Sequence, residues 1–165
     1  MCSSDLPTAA PDTNSTNEDT TLNVNAAGGV LANDCDIDGD TLTVTQFVVG
    51  GTTFVAGNTA NLAEGDLTLN ADGSYTFVPA ANFNGSVPTV TYSVFDGTAT
   101  VTTTLDITVD PVNDAPTAAP DTNSTNEDTT LNVNAAGGVL ANDSDIDGDT
   151  LTVTQFVVGG TTFVA

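Results

Sequence analysis

Aspartate residues recur at alternate positions in two short stretches of the chain, NDCDIDGD at 33–40 and NDSDIDGD at 142–149. Side chains two residues apart on an extended segment point to the same side, roughly 6.6 Å from each other. Two carboxylates at about 6 Å repel by roughly 2.8 kcal/mol at an effective dielectric constant near 20. The spacing therefore predicts a cation site in each stretch, with the candidate ligands Asp34, Asp36, Asp38 and Asp40 in the first and Asp143, Asp145, Asp147 and Asp149 in the second.

Calcium is the cation that suits these residues best. The chain contains no Lys, Arg or His that could neutralise the carboxylates, and its formal net charge is −22. A divalent cation with about 6–8 oxygen ligands would reverse the repulsion, and a flexible set of carboxylates favours Ca²⁺ over Mg²⁺. Zinc is disfavoured because His is absent and Cys35 is replaced by Ser144 in the second stretch.

The first stretch also matches the opening of an EF-hand loop, D-x-D-x-D-G, at residues 34–39. An EF-hand needs a bidentate Glu at its last ligand position, which is Thr45 here, and flanking helices that the sequence does not predict. The stretch is therefore not an EF-hand. An acidic turn that serves only solubility is the alternative, and Glu18, Asp19 and Asp96 could each be ordinary surface or turn acids.

The charge and composition exclude several classes of partner. Nucleic acids and anionic membranes attract proteins through Lys and Arg, which this chain lacks. No apolar run approaches the roughly 18 residues of a membrane span, and the N-terminus lacks the basic and apolar regions of a signal peptide. The sequence therefore predicts no nucleic-acid binding and no membrane insertion. Cysteine usage does not settle the redox compartment, although a disulfide between Cys2 and Cys35 is conceivable.

Residues 7–56 recur at 116–165 with a single difference, Cys35 in the first copy and Ser144 in the second. The second copy begins 109 residues after the first, an interval that suits one whole domain per repeat. The sequence predicts a complete repeat at 7–115 and a truncated N-terminal half of the next repeat at 116–165. The leading hexapeptide MCSSDL (1–6) is predicted to be non-native, because it matches the translation of a sequencing-adapter end. The sequence then reads as a fragment of a longer array.

Short segments of alternating apolar and polar residues, separated by turn residues, fill the complete repeat. Gly50-Gly51 is typical of a two-residue hairpin turn, and no segment shows the apolar spacing of a helix. The sequence therefore predicts an all-β fold, an immunoglobulin/cadherin-like seven-stranded antiparallel β-sandwich in tandem repeats. The predicted strands are 20–24, 41–49, 52–56, 66–70, 74–79, 88–95 and 98–109.

Several motifs resemble those of a known family. TATVTTTLDITVDPVNDAP (98–116) resembles the last strand and linker of cadherin repeats, and DIDGD (36–40 and 145–149) resembles their D-x-D loop. GSYTFVPAANFNGSVPTVTYSVFDG (73–97) is similar to the bacterial cadherin-like or immunoglobulin-like tandem repeats of giant secreted adhesins of the RTX type, often exported by type I secretion. The resemblance implies a β-sandwich, calcium at the junctions between domains and an extended stalk at the bacterial cell surface.

The resemblance also assigns ligands to a junction. It implies a calcium site built by the linker, by the loop of the following domain and by one acid of the preceding domain, namely Asp110, Asn113 and Asp114, Asp145 and Asp147, and Glu18. Asp96 corresponds to the acidic corner before the last strand. The mid-domain LDRE-type motif of cadherins is absent, so the number of ions per junction stays open.

The leading interpretation is a structural spacer module, one link of a calcium-stiffened extracellular adhesin stalk whose partners are neighbouring repeats of the same chain. The alternative is a carbohydrate- or cell-binding β-sandwich module of a surface protein, although the presence of only two tyrosines, Tyr75 and Tyr92, and of no Trp argues against a sugar platform. In the leading interpretation, a carbohydrate or cell-surface ligand would bind elsewhere in the parent protein. Catalysis is not expected, because the carboxylates that would supply acid–base chemistry cluster with one another instead of lying in an apolar pocket.

Overall fold

The computed structural model describes residues 6–165 and divides into two compact units, Met1–Val112 (unit 1) and Asn113–Ala165 (unit 2). The predicted non-native leader lies outside the described residues, except for Leu6. Unit 1 holds the first copy of the repeated sequence, and unit 2 holds the second.

The described residues of unit 1 form β-strands and a turn of 3₁₀-helix at Ala26–Gly28. The strands are β1 (Asp12–Asn17), β2 (Leu22–Val24), β3 (Thr43–Val49), β4 (Thr52–Val55), β5 (Thr59–Asn61), β6 (Gly65–Leu69), β7 (Tyr75–Pro79), β8 (Gly85–Ser86), β9 (Val90–Phe95) and β10 (Thr100–Asp110). Among residues 6–165 there is no helix long and apolar enough to cross a membrane.

The described strands of unit 1 form two sheets. One has the order β1-β10-β9-β3-β4, with β8 also pairing with β10, and the other has the order β2-β7-β6-β5. β1 and β10 run parallel, from Asp12↔Leu105 to Asn17↔Asp110, and the other pairs run antiparallel. Apolar side chains of both sheets form one core, whose largest fully buried members are Tyr92, Phe47, Phe77, Leu67, Leu69, Leu105 and Ile107.

This architecture confirms the predicted all-β sandwich, and a strand overlaps each of the seven predicted segments. Three further strands, β1, β5 and β8, lie outside those segments. β1 reads DTNSTN and has no apolar residue, while β5 and β8 have only three and two residues. None of the three shows the alternation of apolar residues on which the prediction depends.

Residue alternation and a glycine turn account for the centre of the first sheet. Val90, Tyr92 and Val94 of β9 are fully buried, as the alternation predicts. Gly50 and Gly51 join β3 to β4 with φ angles of +56° and +78°. Positive φ at both central residues is what the favoured two-residue hairpin turn requires, and glycine adopts it without a steric penalty.

The strand registers define two opposite ends of unit 1. At the loop end, Thr43 at the start of β3 pairs with Phe95 at the end of β9, so the acidic residues 34–40 and the β9–β10 turn lie there. At the linker end, Asn17 pairs with Asp110, and the chain leaves β10. The predicted ligands of unit 1 are thus divided between the two ends of the sandwich.

Unit 2 has far less regular structure than unit 1. Its described residues form a 3₁₀ turn at Ala135–Gly137 and a hairpin of β11 (Gln155–Val158) and β12 (Thr161–Val164). The hairpin keeps the register of its counterpart, since Phe156 pairs with Phe163 as Phe47 pairs with Phe54. Unit 2 therefore reproduces only part of the fold of the first copy.

Candidate metal centre

The acidic loop of unit 1 is folded around the carboxylate of Asp36. Its Oδ1 accepts hydrogen bonds from the backbone amides of Asp38, at 2.8 Å, and Asp40, at 3.5 Å. Gly39 permits the bend with a φ of +79°. The expectation of an extended segment with four aspartates on one side is therefore wrong, because an Asp side chain close to backbone amides favours a local turn. Asp38 and Asp40 are exposed.

The second acidic loop has the same shape and also holds the linker. Asp145 Oδ1 accepts hydrogen bonds from the amides of Asp147, at 3.0 Å, and Asp149, at 3.3 Å. Asp147 Oδ2 accepts a bond of 2.7 Å from the amide of Asp114, and Asn113 Nδ2 donates to the carbonyl of Asp114 at 2.7 Å. The structure thus brings together linker and loop residues that the resemblance assigns to one junction.

Asp34 anchors the segment that precedes β1. Its Oδ1 accepts a hydrogen bond of 2.8 Å from the amide of Ala10, and its Oδ2 is buried without a hydrogen-bond partner in the described part of the chain. Burial raises the pKa of Asp34 to about 6; the bond from Ala10 opposes this shift, and the nearby carboxylate of Asp12 adds to it. In unit 2, Asp143 Oδ1 accepts the equivalent bond, also 2.8 Å, from the amide of Ala119.

Asp12 belongs to this group, although no motif in the sequence points to it. Tyr92 Oη donates a hydrogen bond of 2.5 Å to Asp12 Oδ2 and lies 3.0 Å from the carbonyl oxygen of Val30. Burial raises the pKa of Asp12, while the hydrogen bonds from Tyr92 and Asn33 lower it. Because 80 residues separate Asp12 from Tyr92, no local pattern in the sequence could have indicated the pair.

Both tyrosines of the chain lie in the core. Tyr92 is fully buried and Tyr75 is 3% exposed. The hydroxyl of Tyr75 accepts a hydrogen bond of 2.8 Å from Asn14 Nδ2. A sugar therefore cannot stack on either ring.

Glu18 organises the linker end of unit 1 and is only 4% exposed. Its Oε1 accepts a hydrogen bond from the amide of Val112, and its Oε2 accepts one of 3.4 Å from Asn84 Nδ2. The amide of Glu18 donates to the carbonyl of Asp110 at 2.9 Å, and Asp110 itself is exposed. Glu18 and Asp110 are therefore adjacent, and Glu18 fixes the start of the linker.

Asp96 caps the β9–β10 turn at the loop end and is 8% exposed. Its Oδ1 accepts hydrogen bonds from the amides of Ala99, at 2.6 Å, and Thr98, at 2.7 Å. These bonds, first from Ala99 and then from Thr98, lower the pKa of Asp96. Asp96 thus stabilises a turn, the alternative to a ligand role at this position.

The available donors suit calcium in their chemistry, but they are few at each end of unit 1. No group of three or more Asp, Glu, His or Cys side chains within residues 6–165 is arranged to hold a metal ion. The candidate ligands carry carboxylate and amide oxygens, the donors that Ca²⁺ prefers. A shell of about 6–8 oxygens would therefore need further donors from a second domain or from water.

Family comparisons cover both units. A family described as "Bacterial cadherin-like domain" matches residues 4–111, and one described as "Cadherin-like domain" matches residues 112–165. The border between the two matches falls within one residue of the border between unit 1 and unit 2.

Two solved structures resemble the chain weakly. They are a variant of the endo-fucoidan hydrolase MfFcnA4 and the endo-fucoidan hydrolase MfFcnA9, both from glycoside hydrolase family 107. The sequence identities are 23% and 21%, the TM-scores are 0.42 and 0.36, and the matches cover 68% and 64% of this chain. The chain spans 16% of the length of each of these proteins, and likeness at this level carries no argument about function. A search of curated proteins finds no match.

Proposed function

Because this chain belongs to the bacterial cadherin-like domain family, we propose that it is a spacer module of an extracellular adhesin stalk, stiffened by calcium at the junctions between domains. Cadherin-like domains generally bind Ca²⁺, are typically extracellular and are typically non-enzymatic. The parent protein would be a large secreted adhesin of the RTX type. The module would act by holding its neighbours apart at a fixed angle, and its partners would be those neighbouring repeats.

One observation carries the proposal: the short linker is held by a carboxylate at each of its ends. In unit 1, Glu18 accepts the amide of Val112, directly after Asp110 and Pro111. In unit 2, Asp147 accepts the amide of Asp114 at 2.7 Å. An ordinary solvated acidic turn would not need to contact the linker, whereas a junction site needs carboxylates on both sides of it.

Calcium would bind through the oxygens that these backbone bonds leave available. The proposed ligands are Asp110, Asn113 and Asp114 of the linker, Asp145 and Asp147 of the loop that follows it, and Glu18. The loop-end acids of unit 1, among them the exposed Asp38 and Asp40, would serve the junction with a preceding domain. With no Lys, Arg or His in the chain, a divalent cation is the available means of relieving repulsion within such a group.

The test is a calorimetric titration of the full chain with CaCl₂ after removal of metal with EGTA. Extracellular calcium modules have Kd values of roughly 10⁻⁴–10⁻³ M. At tenfold excess over Kd, a ligand of the native state adds about 1.4 kcal/mol to the free energy of unfolding. Unfolding of unit 1 can be followed by tyrosine fluorescence, since both tyrosines of the chain, Tyr75 and Tyr92, lie there.

A matched pair of variants locates the site. Replacement of Asp145 and Asp147 by Asn should weaken calcium binding at least about tenfold, because two charges leave the shell. Asp72→Asn is the control, since Asp72 lies in the β6–β7 turn and its Oδ1 accepts the amide of Ser74 at 3.0 Å. No heat of binding together with an unchanged melting temperature, or equal binding by the two variants, would contradict the proposal.

A further inference from the structure

One edge of the first sheet of unit 1 carries no charge. β4 is the last strand in the order β1-β10-β9-β3-β4, and among the described strands only β3 pairs with it. Residues 41–63, which include β3 and β4, contain no acidic residue, and neither does β9. The β9-β3-β4 side of this sheet is therefore uncharged, in a chain that has 22 acidic residues and no Lys or Arg.

The backbone of β4 has hydrogen-bonding groups on its outer side. The amide of Ala56 donates to the carbonyl of Thr45 at 3.0 Å, so Ala56 is turned toward β3. Because successive residues of an antiparallel strand turn alternately toward and away from the partner strand, Thr53 and Val55 are turned away from β3. The carbonyl of Val55 accepts the amide of Asn58 at 3.0 Å. The amide and carbonyl of Thr53 and the amide of Val55 thus lie along the open edge.

The edge strands β1, β2 and β5 have features that discourage pairing with another chain, whereas β4 has none. Natural sheets protect their edges with charges, prolines, bulges or very short strands. β1 carries Asp12, and β2 and β5 have three residues each. β4 has four residues without charge or proline, and its register with β3 is unbroken. Its Val55 is 63% exposed.

We propose that β4 is a self-association surface, which pairs with β4 of a second copy of this chain and joins the two sheets into one. The strands run antiparallel about a two-fold axis at Thr53, so the same surface serves both copies. The amide and carbonyl of Thr53 exchange hydrogen bonds with those of Thr53 in the second copy. Neither calcium nor the proposed spacer function enters this assignment.

The same register provides a second pair of hydrogen bonds. Val55 lies opposite Gly51 of the second copy, so its amide donates to the carbonyl of that glycine. A Cβ on Gly51 would meet no atom within 4 Å, so the strand of another copy has room to approach there. The two Thr53 side chains lie directly opposite each other, and such threonine pairs stabilise antiparallel strands.

Charge favours a second copy over a cationic partner. A cationic partner is attracted to acidic surfaces, such as the exposed Asp38 and Asp40 at the loop end, and not to an uncharged edge. Two copies repel each other through their acidic surfaces, because each chain has a net charge of −22. They can therefore approach most closely where both surfaces lack charge.

Two threonines in one row across the sheet provide a matched test. Thr53 pairs with Val48, and Val48 pairs with Thr91 of β9, so the two exposed threonines share a face and lie two strands apart. Thr53→Glu would place like charges directly opposite each other in the proposed pair. Thr91→Glu adds the same charge to a strand that is already paired on both sides. Because Thr162 is the counterpart of Thr53 in the second copy of the repeat, it is changed as well.

The experiment is analytical ultracentrifugation of the full chain in EGTA at concentrations up to about 1 mM. Paired four-residue edges bury less than the roughly 1,600 Å² of a standard interface, so we expect a weak, concentration-dependent dimer. Raising NaCl from about 0.1 M to about 1 M shortens the Debye length from about 10 Å to about 3 Å. Repulsion between the copies is then screened, and the Kd of the dimer should fall several-fold.

The variants should separate the edge from the rest of the face. T53E/T162E should weaken the dimer at least about tenfold, whereas T91E should keep its Kd within about twofold of the unsubstituted chain. T53P/T162P should also weaken the dimer at least about tenfold, because proline removes the reciprocal donors without adding a charge. Proline is tolerated where a strand amide faces solvent, and tyrosine fluorescence checks that unit 1 is folded in each variant.

Three outcomes would overturn the proposal. One is a chain that remains monomeric at about 1 mM in about 1 M NaCl. Another is a dimer that T53E/T162E and T91E weaken to the same degree, which would show that the outer faces of the sheets are in contact instead of their edges. The last is a dimer that neither T53E/T162E nor T53P/T162P weakens, which would place the contact elsewhere on the chain.

Discussion

Residues 12–17 form an edge strand in unit 1, whereas the identical residues 121–126 form no strand in unit 2. The counterpart of β2 is likewise irregular, and β11 begins at Gln155, which corresponds to Gln46 in the middle of β3. In unit 1 these segments pair with β10, β7 and β9, all of which come from residues 57–110. Their strand structure therefore depends on distant pairing and not on their own sequence.

Other features are the same in both copies because their contacts are local. The side chains of Asn25 and Asn134 cap the same 3₁₀ turn. Asp36 and Asp145 each accept two amides of their own loop. The comparison thus separates what a stretch of 50 residues folds by itself from what it acquires when the rest of the sandwich covers it.

The largest expected difference between the copies concerns their equivalent phenylalanines. Phe47→Ala should destabilise unit 1 by about 3–5 kcal/mol, because it removes a fully buried aromatic side chain and leaves a cavity. Phe156→Ala removes the same ring from a half-exposed site, where it contacts Phe163, and should leave the unfolding of unit 1 unchanged. Denaturant unfolding followed by tyrosine fluorescence measures both, since the tyrosines report unit 1 alone.

Equal losses of stability in these two variants would contradict the comparison. They would mean that the second copy contributes its phenylalanine to the core that the tyrosines report. The apolar side chains of residues 116–165 would then be buried in solution.

The comparison also explains how much of the fold could be predicted from the sequence. The Gly50-Gly51 pair and the alternation of apolar residues in β9 are local signals. Each was sufficient to predict the element that the structure shows, a hairpin turn and a half-buried strand. β1 could not be predicted, because DTNSTN becomes a strand only by pairing with β10, about 93 residues later in the chain.

The candidate site shows the same division. The alternate aspartates indicate an acidic loop. The bend of this loop depends on which backbone amides donate hydrogen bonds to Asp36, and the spacing of the acids does not specify those donors. The bond from the amide of Val112 to Glu18 joins residues 94 positions apart. The family resemblance pointed to Glu18, whereas no local physical signal could have indicated its partner.

A smaller difference is expected in the pH dependence of stability. The pKa of Asp34 is raised to about 6 in the folded protein from an ordinary value near 3.8. The folded state therefore binds the proton more tightly, and unit 1 should lose about 1–2 kcal/mol of stability, after allowance for solvent screening, as the pH rises from about 4 to above 6. Asp34→Asn should remove this part of the slope, because Asn keeps the acceptor for Ala10 and does not ionise.

The matched control is Asp143→Asn, which alters the equivalent bond to Ala119 in unit 2 and should leave the slope for unit 1 unchanged. Urea unfolding in EGTA at several pH values, followed by tyrosine fluorescence, measures the difference in slope between the two variants.

Other carboxylates also contribute to the pH dependence. Asp12 has a raised pKa and will retain a slope of the same sign in both variants. Asp72 and Asp96 have lowered pKa values, so their contribution is lost only at lower pH. Indistinguishable profiles for the two Asn variants would show that Asp34 is not the titrating group.

The smallest expected difference between the copies concerns the turns of their hairpins. Gly50 and Gly159 have φ angles of +56° and +55° at the same position of the two hairpins. An L side chain in this left-handed region costs about 1–2 kcal/mol, and no heavy atom lies within 4 Å of a Cβ at either site. Gly50→Ala and Gly159→Ala should therefore weaken their hairpins by the same amount, although one hairpin is covered and the other is not. Amide hydrogen exchange at Phe47 and Phe156, compared with the unsubstituted chain, measures each hairpin separately. A much smaller loss of protection at Phe156 would mean that the second hairpin is frayed at its turn, and that even this feature needs the remainder of the sandwich.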